Sequence, residues 1–389
     1  MKDLELSDTP ILVTKPFLPP LHEYMREIEK IWEVTILSNH GPIHNQFEAA
    51  LKSYLNAKHL SLFVNGHMAL EIAIKTLDLQ GEVITTPFTF ASTAHAISNC
   101  GLTPVFCDIN PNDYNIDVTK IEELITEKTS AIVPVHVYGT PCDVNAIQRI
   151  AKKHGLKVIY DAAHAFGVSV NGVDIGNFGD ISMFSFHATK VFHSIEGGAL
   201  SFNHEPYKTV MAKLRNFGIS GPDSIDMTGT NAKMNEFQAA MGIVNLRYVE
   251  ADIERRRQIT QRYRNRLGSI EGMTFMRDEP GVKSNYSYFP LIIDPVRFGM
   301  SRDELHDRLH QYNIFTRKYF YPLISDLDSY RRPGDGERLV NAKYVAERIL
   351  VLPLYSTLSD DMIDYICDSI EDISYAASVS ASRNYLRRA

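Results

Sequence analysis

The chain has 389 residues, 44% apolar and 22% charged, enough to bury more than one hydrophobic core and unlike a disordered or collagen-like polymer. A formal charge of −7, with no basic run beyond Arg255-Arg256-Arg257, argues against nucleic acid as a partner. The opening MKDLELSDTP lacks the apolar core of a signal peptide, and no stretch approaches the ~18 apolar residues of a membrane helix, so a cytoplasmic chain with no membrane contact is expected.

In chain order, short apolar or β-branched runs fall at 61–64, 82–85 (EVIT), 104–108 (PVFCD), 131–135 (AIVPV), 157–161 (KVIYD) and 181–185 (ISMFS), with helix-like segments between them. Such alternation predicts βαβ units and a largely parallel sheet. Asp143 is placed to cap a helix that carries Ile147, Ile150 and Ala151 on one face, ends in Lys152-Lys153-His154 and stops at Gly155. From about residue 250 the texture changes to a charged helix (ADIERRRQITQRYRNRL), a strand-like SYFPLII at 287–293, a helix from Ser301 to about Tyr312, and a last helix with Met362, Ile363, Ile366 and Ile370 on one face. The expected division is a large α/β domain over 1–250 and a smaller α+β domain over 251–389. Cys100, Cys107, Cys142 and Cys367 form no CxxC pair and are expected to be reduced, mostly core residues; no HExxH or comparable spacing suggests a metal site.

Ligands of parallel α/β sheets bind beyond the carboxyl ends of the strands, and four of those ends carry chemistry here. Asn65-Gly66-His67 leads into an apolar-faced helix, which makes either a plain cap or a nest of N–H groups for a phosphate. Thr86-Pro87-Phe88-Thr89-Phe90 offers rings that could lie on a planar cofactor or simply pack in the core. Asp161 ends a buried run, so its carboxylate either meets a cationic partner or caps the AAHAFG segment. Lys190 stands between ISMFSFHAT and the Gly197-Gly198 pair that opens ALSF, which puts its stem inside; a lysine held there has a depressed pKa and becomes a Schiff-base nucleophile. An anion nest, a flat ring, an acid and a lysine at neighbouring strand ends fit one cofactor, pyridoxal 5′-phosphate (PLP, with its amine form PMP).

The stretches FVNGHMALEIA, TTPFTFASTAHAI, PVHVYGTPCDV, IYDAAHAFG, SFHATKVFHSIEGGA, GTNAKMNEFQAAMG, TRKYFYPL and LPLYSTLSD, in this order over essentially the whole length, resemble the DegT/DnrJ/EryC1/StrS sugar-nucleotide aminotransferases. The resemblance implies the PLP fold type I: a mostly parallel seven-stranded sheet flanked by helices, followed by a smaller C-terminal α+β domain. It implies that Lys190 binds the coenzyme covalently and shuttles the proton, that Asp161 keeps the ring nitrogen protonated, that Phe90 stacks on the ring and that His164 contacts its phenolic oxygen. Gly66, His67 and Ser185 would hold the phosphate. Asn231 matches a residue that reaches the neighbouring subunit's phosphate site, which implies a homodimer with shared active sites. Two positions depart from the family's usual residues: His67 replaces Thr or Ser, leaving imidazole or backbone N–H to serve the phosphate, and Lys233 replaces Arg.

Within the family, TKPFLPPLHEY, SNHGPIHNQFE, DAAHAFG with SFHATKVF, and GTNAKMNEFQAA are most similar to enzymes that make dTDP-4-amino-4,6-dideoxyglucose from dTDP-4-keto-6-deoxyglucose with L-glutamate as donor, in the biosynthesis of O-antigen and other cell-surface sugars. Candidate substrate contacts are His40, His187, Arg317 and Tyr319. The alternatives are the same chemistry on a 3-ketosugar or a GDP- or UDP-linked sugar, and a non-catalytic PLP-fold regulator, which the Asp161/Lys190 pair disfavours.

Overall fold

The strand–helix alternation closes into one seven-stranded sheet in a computed structural model that describes Ser7 and residues 9–386. In chain order its strands are β1 (His59–Phe63), β2 (Glu82–Thr85), β3 (Thr103–Phe106), β4 (Thr129–Ile132), β5 (Lys157–Asp161), β6 (Ile181–Ser185) and β7 (Gly198–Phe202). Their order across the sheet is β1-β7-β6-β5-β4-β2-β3. From β6 to β3 neighbours pair in parallel, whereas β7 runs antiparallel to β1 and β6 on either side of it. Helices shield the sheet, so its strands are apolar on successive residues, as in the fully buried Val83, Ile84, Met183 and Phe184.

EVIT, KVIYD and ISMFS are strands over the expected residues, but the runs at 104–108 and 131–135 leave the sheet early, at Phe106 and Ile132. Pro134 has no N–H to give the ladder, although its carbonyl still accepts from Asp161 N at 2.9 Å. Asp108 turns away to accept from the amides of Asn341 (3.2 Å) and Ala342 (2.8 Å), at the start of helix Val340–Arg348, and from Lys120 Nζ (2.7 Å). The helix Val144–His154 begins at Asp143, whose carboxylate accepts from Ala146 N at 2.9 Å, and stops at Gly155 with φ 68°.

A second sheet, β8 (Met273–Phe275), β9 (Phe289–Ile293) and β10 (Ile349–Leu352), is antiparallel in that order. The helix Val249–Leu267 enters both cores: Val249 and Ile253 pack under the large sheet, while Ile259, Tyr263 and Leu267 pack with β9, β10 and the final helix Asp360–Leu386. Ile11 joins the second core as well, bridged to Ile314. A further cluster mixes Phe88, Phe106 and Tyr138 with Phe320, Tyr330 and Val345. All four cysteines are free, and Cys100 is partly exposed. No helix among the described residues is long and apolar enough to cross a membrane.

Candidate active site

The strand register sets the site's frame: Asp161 pairs with Met183, Ser185 with Gly198, and Gly198 with Phe63, so the loaded ends of β5, β6 and β1 lie side by side. After β1 the chain turns at Asn65, whose Oδ1 accepts from Met68 N at 2.8 Å and caps helix Gly66–Thr76. The amides of Gly66 and His67 keep no hydrogen-bond partner among the described residues. Two missing side chains bring this helix start against β6. A Cβ on Gly66 would meet Ser185 Cβ at 2.8 Å, and one on Gly198 would meet Asn65 O at 2.6 Å. Two free amides beside a hydroxyl at a helix N-terminus make a cradle for an anion. The His67 ring is engaged elsewhere, with Nδ1 2.8 Å from Ser92 Oγ and Nε2 3.1 Å from Glu71 Oε1. Of the two groups this residue could offer an anion, the backbone N–H is the one left.

No helix follows Asp161, so a capping role for its carboxylate falls away. Asp161 is 4% exposed; Oδ2 accepts from Thr93 Oγ1 at 2.8 Å and Oδ1 from Ala163 N at 3.1 Å. Burial pushes its pKa up, opposed by those two hydrogen bonds and by the charge of Lys190. Lys190 follows β6 by five residues and is partly buried. Desolvation brings its amine down to about 8, with Asp161 pulling the other way, so about a tenth is unprotonated at pH 7, far more than for an ordinary lysine.

Lys190 lines one small cavity together with Ala163, His164, Ser287 and Tyr288. His164 is buried, its Nδ1 accepts from Tyr138 N at 3.2 Å, and burial holds its pKa well below the ordinary histidine value. A neutral imidazole whose Nδ1 is an acceptor carries its proton on Nε2, so His164 is a fixed N–H donor. Its ring lies parallel to Phe320 at 5.9 Å and edge-on to Tyr288 at 5.0 Å. Tyr319 is close enough for its charge and that of Lys190 to act on each other, and its carbonyl accepts from the Tyr138 hydroxyl. Phe88 is buried, but Phe90 is 63% exposed beside the start of helix Ser92–Asn99.

The other sequence candidates lie apart from that cavity's lining. His40 sits 3.4 Å from His44 (Nδ1 to Nδ1), and burial, with Arg215 nearby, lowers both pKa values to about 4. Asn231 is exposed and bridged to Asn216, whose Oδ1 accepts from Lys233 Nζ at 2.5 Å. These segments are tied together by Glu236, fully buried, which accepts from the amides of Ile43 (2.9 Å) and His44 (3.2 Å) at the start of helix Pro42–Tyr54. His187 is exposed, bonded to Thr189 Oγ1 at 2.8 Å and 3.5 Å from Glu196 Oε1. Arg317 is exposed and pairs through its backbone with Val351.

The sequence profile of the DegT/DnrJ/EryC1/StrS aminotransferase family matches residues 21–371. The chain belongs to that family. A dTDP-4-amino-4,6-dideoxy-D-glucose transaminase of Shigella dysenteriae is 44% identical over 366 residues, covering 94% of this chain and 100% of that protein. One of the same name from Escherichia coli is 44% identical over 363 residues, covering 92% and 97%. Among solved structures, DesI in the presence of its TDP-sugar product superposes with a TM-score of 0.92 at 33% identity, covering 97% of each chain.

Several residues that build this aminotransferase's cavity were silent in the sequence. Asn285 Nδ2 donates to the carbonyls of His164 (2.7 Å) and Phe166 (2.9 Å), and Ser287 Oγ also donates to His164 O, at 2.5 Å. They fix the DAAHAFG turn from more than 110 residues away. Thr93, bonded to Asp161, and Tyr138, which sets the His164 tautomer, carried no signal beyond lying in family-like stretches.

Proposed function

We propose that the enzyme transfers the amino group of L-glutamate to C4 of dTDP-4-keto-6-deoxyglucose with PLP, giving dTDP-4-amino-4,6-dideoxyglucose in the cytoplasm for cell-surface sugar synthesis. The carrying observation is the partly desolvated Lys190 amine, its pKa brought to about 8, grouped with buried Asp161 and with the neutral His164 donor. The sugar assignment is supported by the 44% identity over nearly the full length of two named transaminases.

The residues present fit the coenzyme: the cradle at Gly66, His67 and Ser185 suits its phosphate, and a buried carboxylate suits a protonated ring nitrogen. When bound, the coenzyme supplies an aldehyde that takes up amines and a cationic ring that withdraws electrons from the carbon bearing the nitrogen. Asp161 holds the proton at the ring nitrogen. His164 Nε2–H binds the phenolic oxygen, Phe90 covers a ring face and excludes water, and Lys190 Nζ carries the proton to and from the reacting carbon. Tyr319, Arg317, His187 and His40 are the candidate sugar-nucleotide contacts.

A homodimer completes the site, with Asn231 reaching the partner's phosphate cradle. The exposed Phe217, Ile219 and Ile225 beside Asn231, and the exposed Trp32 and Leu37, support such a contact. The test is incubation with glutamate and a panel of nucleotide ketosugars, read by NMR. The expected product carries nitrogen on C4 of the dTDP sugar; amination at C3, or turnover of GDP- or UDP-sugars alone, refutes the assignment.

A further inference from the structure

Among the hydroxyls of the TTPFTF loop, Thr85 donates to the Val133 carbonyl at 2.7 Å and Thr86 accepts from Phe88 N at 3.1 Å. Thr89 has a different neighbour: its Oγ1 lies 3.2 Å from Thr93 Oγ1, which in turn donates to Asp161 Oδ2 at 2.8 Å. Thr89, Thr93 and Asp161 are 2%, 0% and 4% exposed, so water does not substitute for either bond. A hydroxyl has one proton, and Thr93 gives its proton to the carboxylate, so Thr89 is the donor in the first bond. Donors chained in this direction polarise one another toward the terminal anion.

We propose that Thr93, backed by Thr89, is a positioning residue for the acid. The two-hydroxyl relay keeps Asp161 ionised and fixes which of its lone pairs remain for the coenzyme's ring nitrogen. With Ala163 N on Oδ1 and Thr93 on Oδ2, a carboxylate that accepts about four bonds keeps one lone pair per oxygen in a set direction. The relay also ties the acid to the turn that presents Phe90, the next residue after Thr89, so the acid and the residue that would cover the ring are set by one hydrogen-bonded chain. The inference rests on the PLP reading of Asp161.

Its test is the affinity of the apo-enzyme for PLP, measured by equilibrium dialysis from pH 5 to 8, with near-UV circular dichroism to verify the fold. Thr93→Val, which keeps the shape and removes the donor, is expected to weaken binding about 10- to 100-fold at pH 7, the worth of a hydrogen bond to a charged group. Removing a bond that favours the carboxylate raises the acid's pKa, so the acid limb of the affinity profile should move to higher pH. Thr93→Ser should restore both affinity and limb. Thr89→Val alone should cost a few-fold, and nothing further when added to Thr93→Val. Wild-type affinity and an unmoved limb in Thr93→Val, or an equal loss in Thr93→Ser, overturn the relay while the coenzyme assignment stands. Wild-type affinity in Asp161→Asn overturns the coenzyme reading itself, and the relay with it.

Discussion

His136 lies one strand end from the acid, its amide donating to Asp161 O at 3.0 Å, and it should make the enzyme sensitive to acid. Its ring is fully buried, stacks on Tyr160 at 4.7 Å, accepts from Cys142 N through Nδ1 at 3.0 Å and leaves Nε2 buried without a partner. Burial lowers its pKa from 6.5 to about 3. Below pH 6.5 the unfolded chain therefore binds a proton that the folded one refuses, and stability falls with pH from about 6.5 toward about 3. Between pH 7 and 5 the cost is about 2 kcal/mol, nearly the whole free energy of protonating the unfolded imidazole at pH 5. Other groups overlay this: His44, brought to about 4, adds to the loss, whereas Asp113, raised to about 6 by burial, offsets part of it. The His136 share is isolated by comparing wild type with His136→Asn, which can still accept from Cys142. Urea unfolding followed by circular dichroism should show a variant less stable at pH 7 whose further loss on going to pH 5 is about 2 kcal/mol smaller. Parallel stability–pH curves for the two proteins would refute the reasoning.

Gly66→Ala should keep the fold but weaken PLP binding at least 10-fold in a dialysis titration, because the new Cβ must displace Ser185 from the cradle. His164→Gln, which retains an N–H donor, should stay within several-fold of wild-type turnover, while His164→Leu should lose about 100-fold in kcat, the usual worth of one donor at a developing charge. Asp108→Ala leaves Lys120 unpaired and the amides of Asn341 and Ala342 uncapped; denaturant unfolding should show about 2–4 kcal/mol lost. Arg266 pairs with Asp364, Asp368 and Glu371, all partly exposed, so Arg266→Ala should cost about 1 kcal/mol at low salt and less in 0.5 M salt.

Some strand ends and helix caps were legible because they depend on neighbours in sequence. The runs closing at Asp161 and Ser185, Asp143 with Gly155, and the helix start at Ser301 each carry their own instruction. What depends on distant partners was not. Nothing near Gly198 announces that its strand enters antiparallel between β1 and β6, or that its lack of a side chain admits Asn65. His67 leaves imidazole and backbone N–H both open to phosphate until Ser92 and Glu71 are seen to hold both ring nitrogens. Asp161 reads equally as cap or acid until the turn after it proves non-helical. The exposure of Phe90 beside the burial of Phe88, in a loop where both looked alike, follows from contacts with Tyr114, Tyr138 and Phe320 that only the fold supplies.

The helix Val249–Leu267 anchors one end in the core beneath the large sheet and the other among the strands of the small one. A jaw needs a hinge, and a continuous rod embedded at both ends is a poor one: swinging the lobes apart would have to bend it or pull Ile253 or Ile259 out of its packing. Opening of the proposed site therefore falls to the turns around Phe90, His187 and Tyr319 rather than to a swing of one sheet against the other.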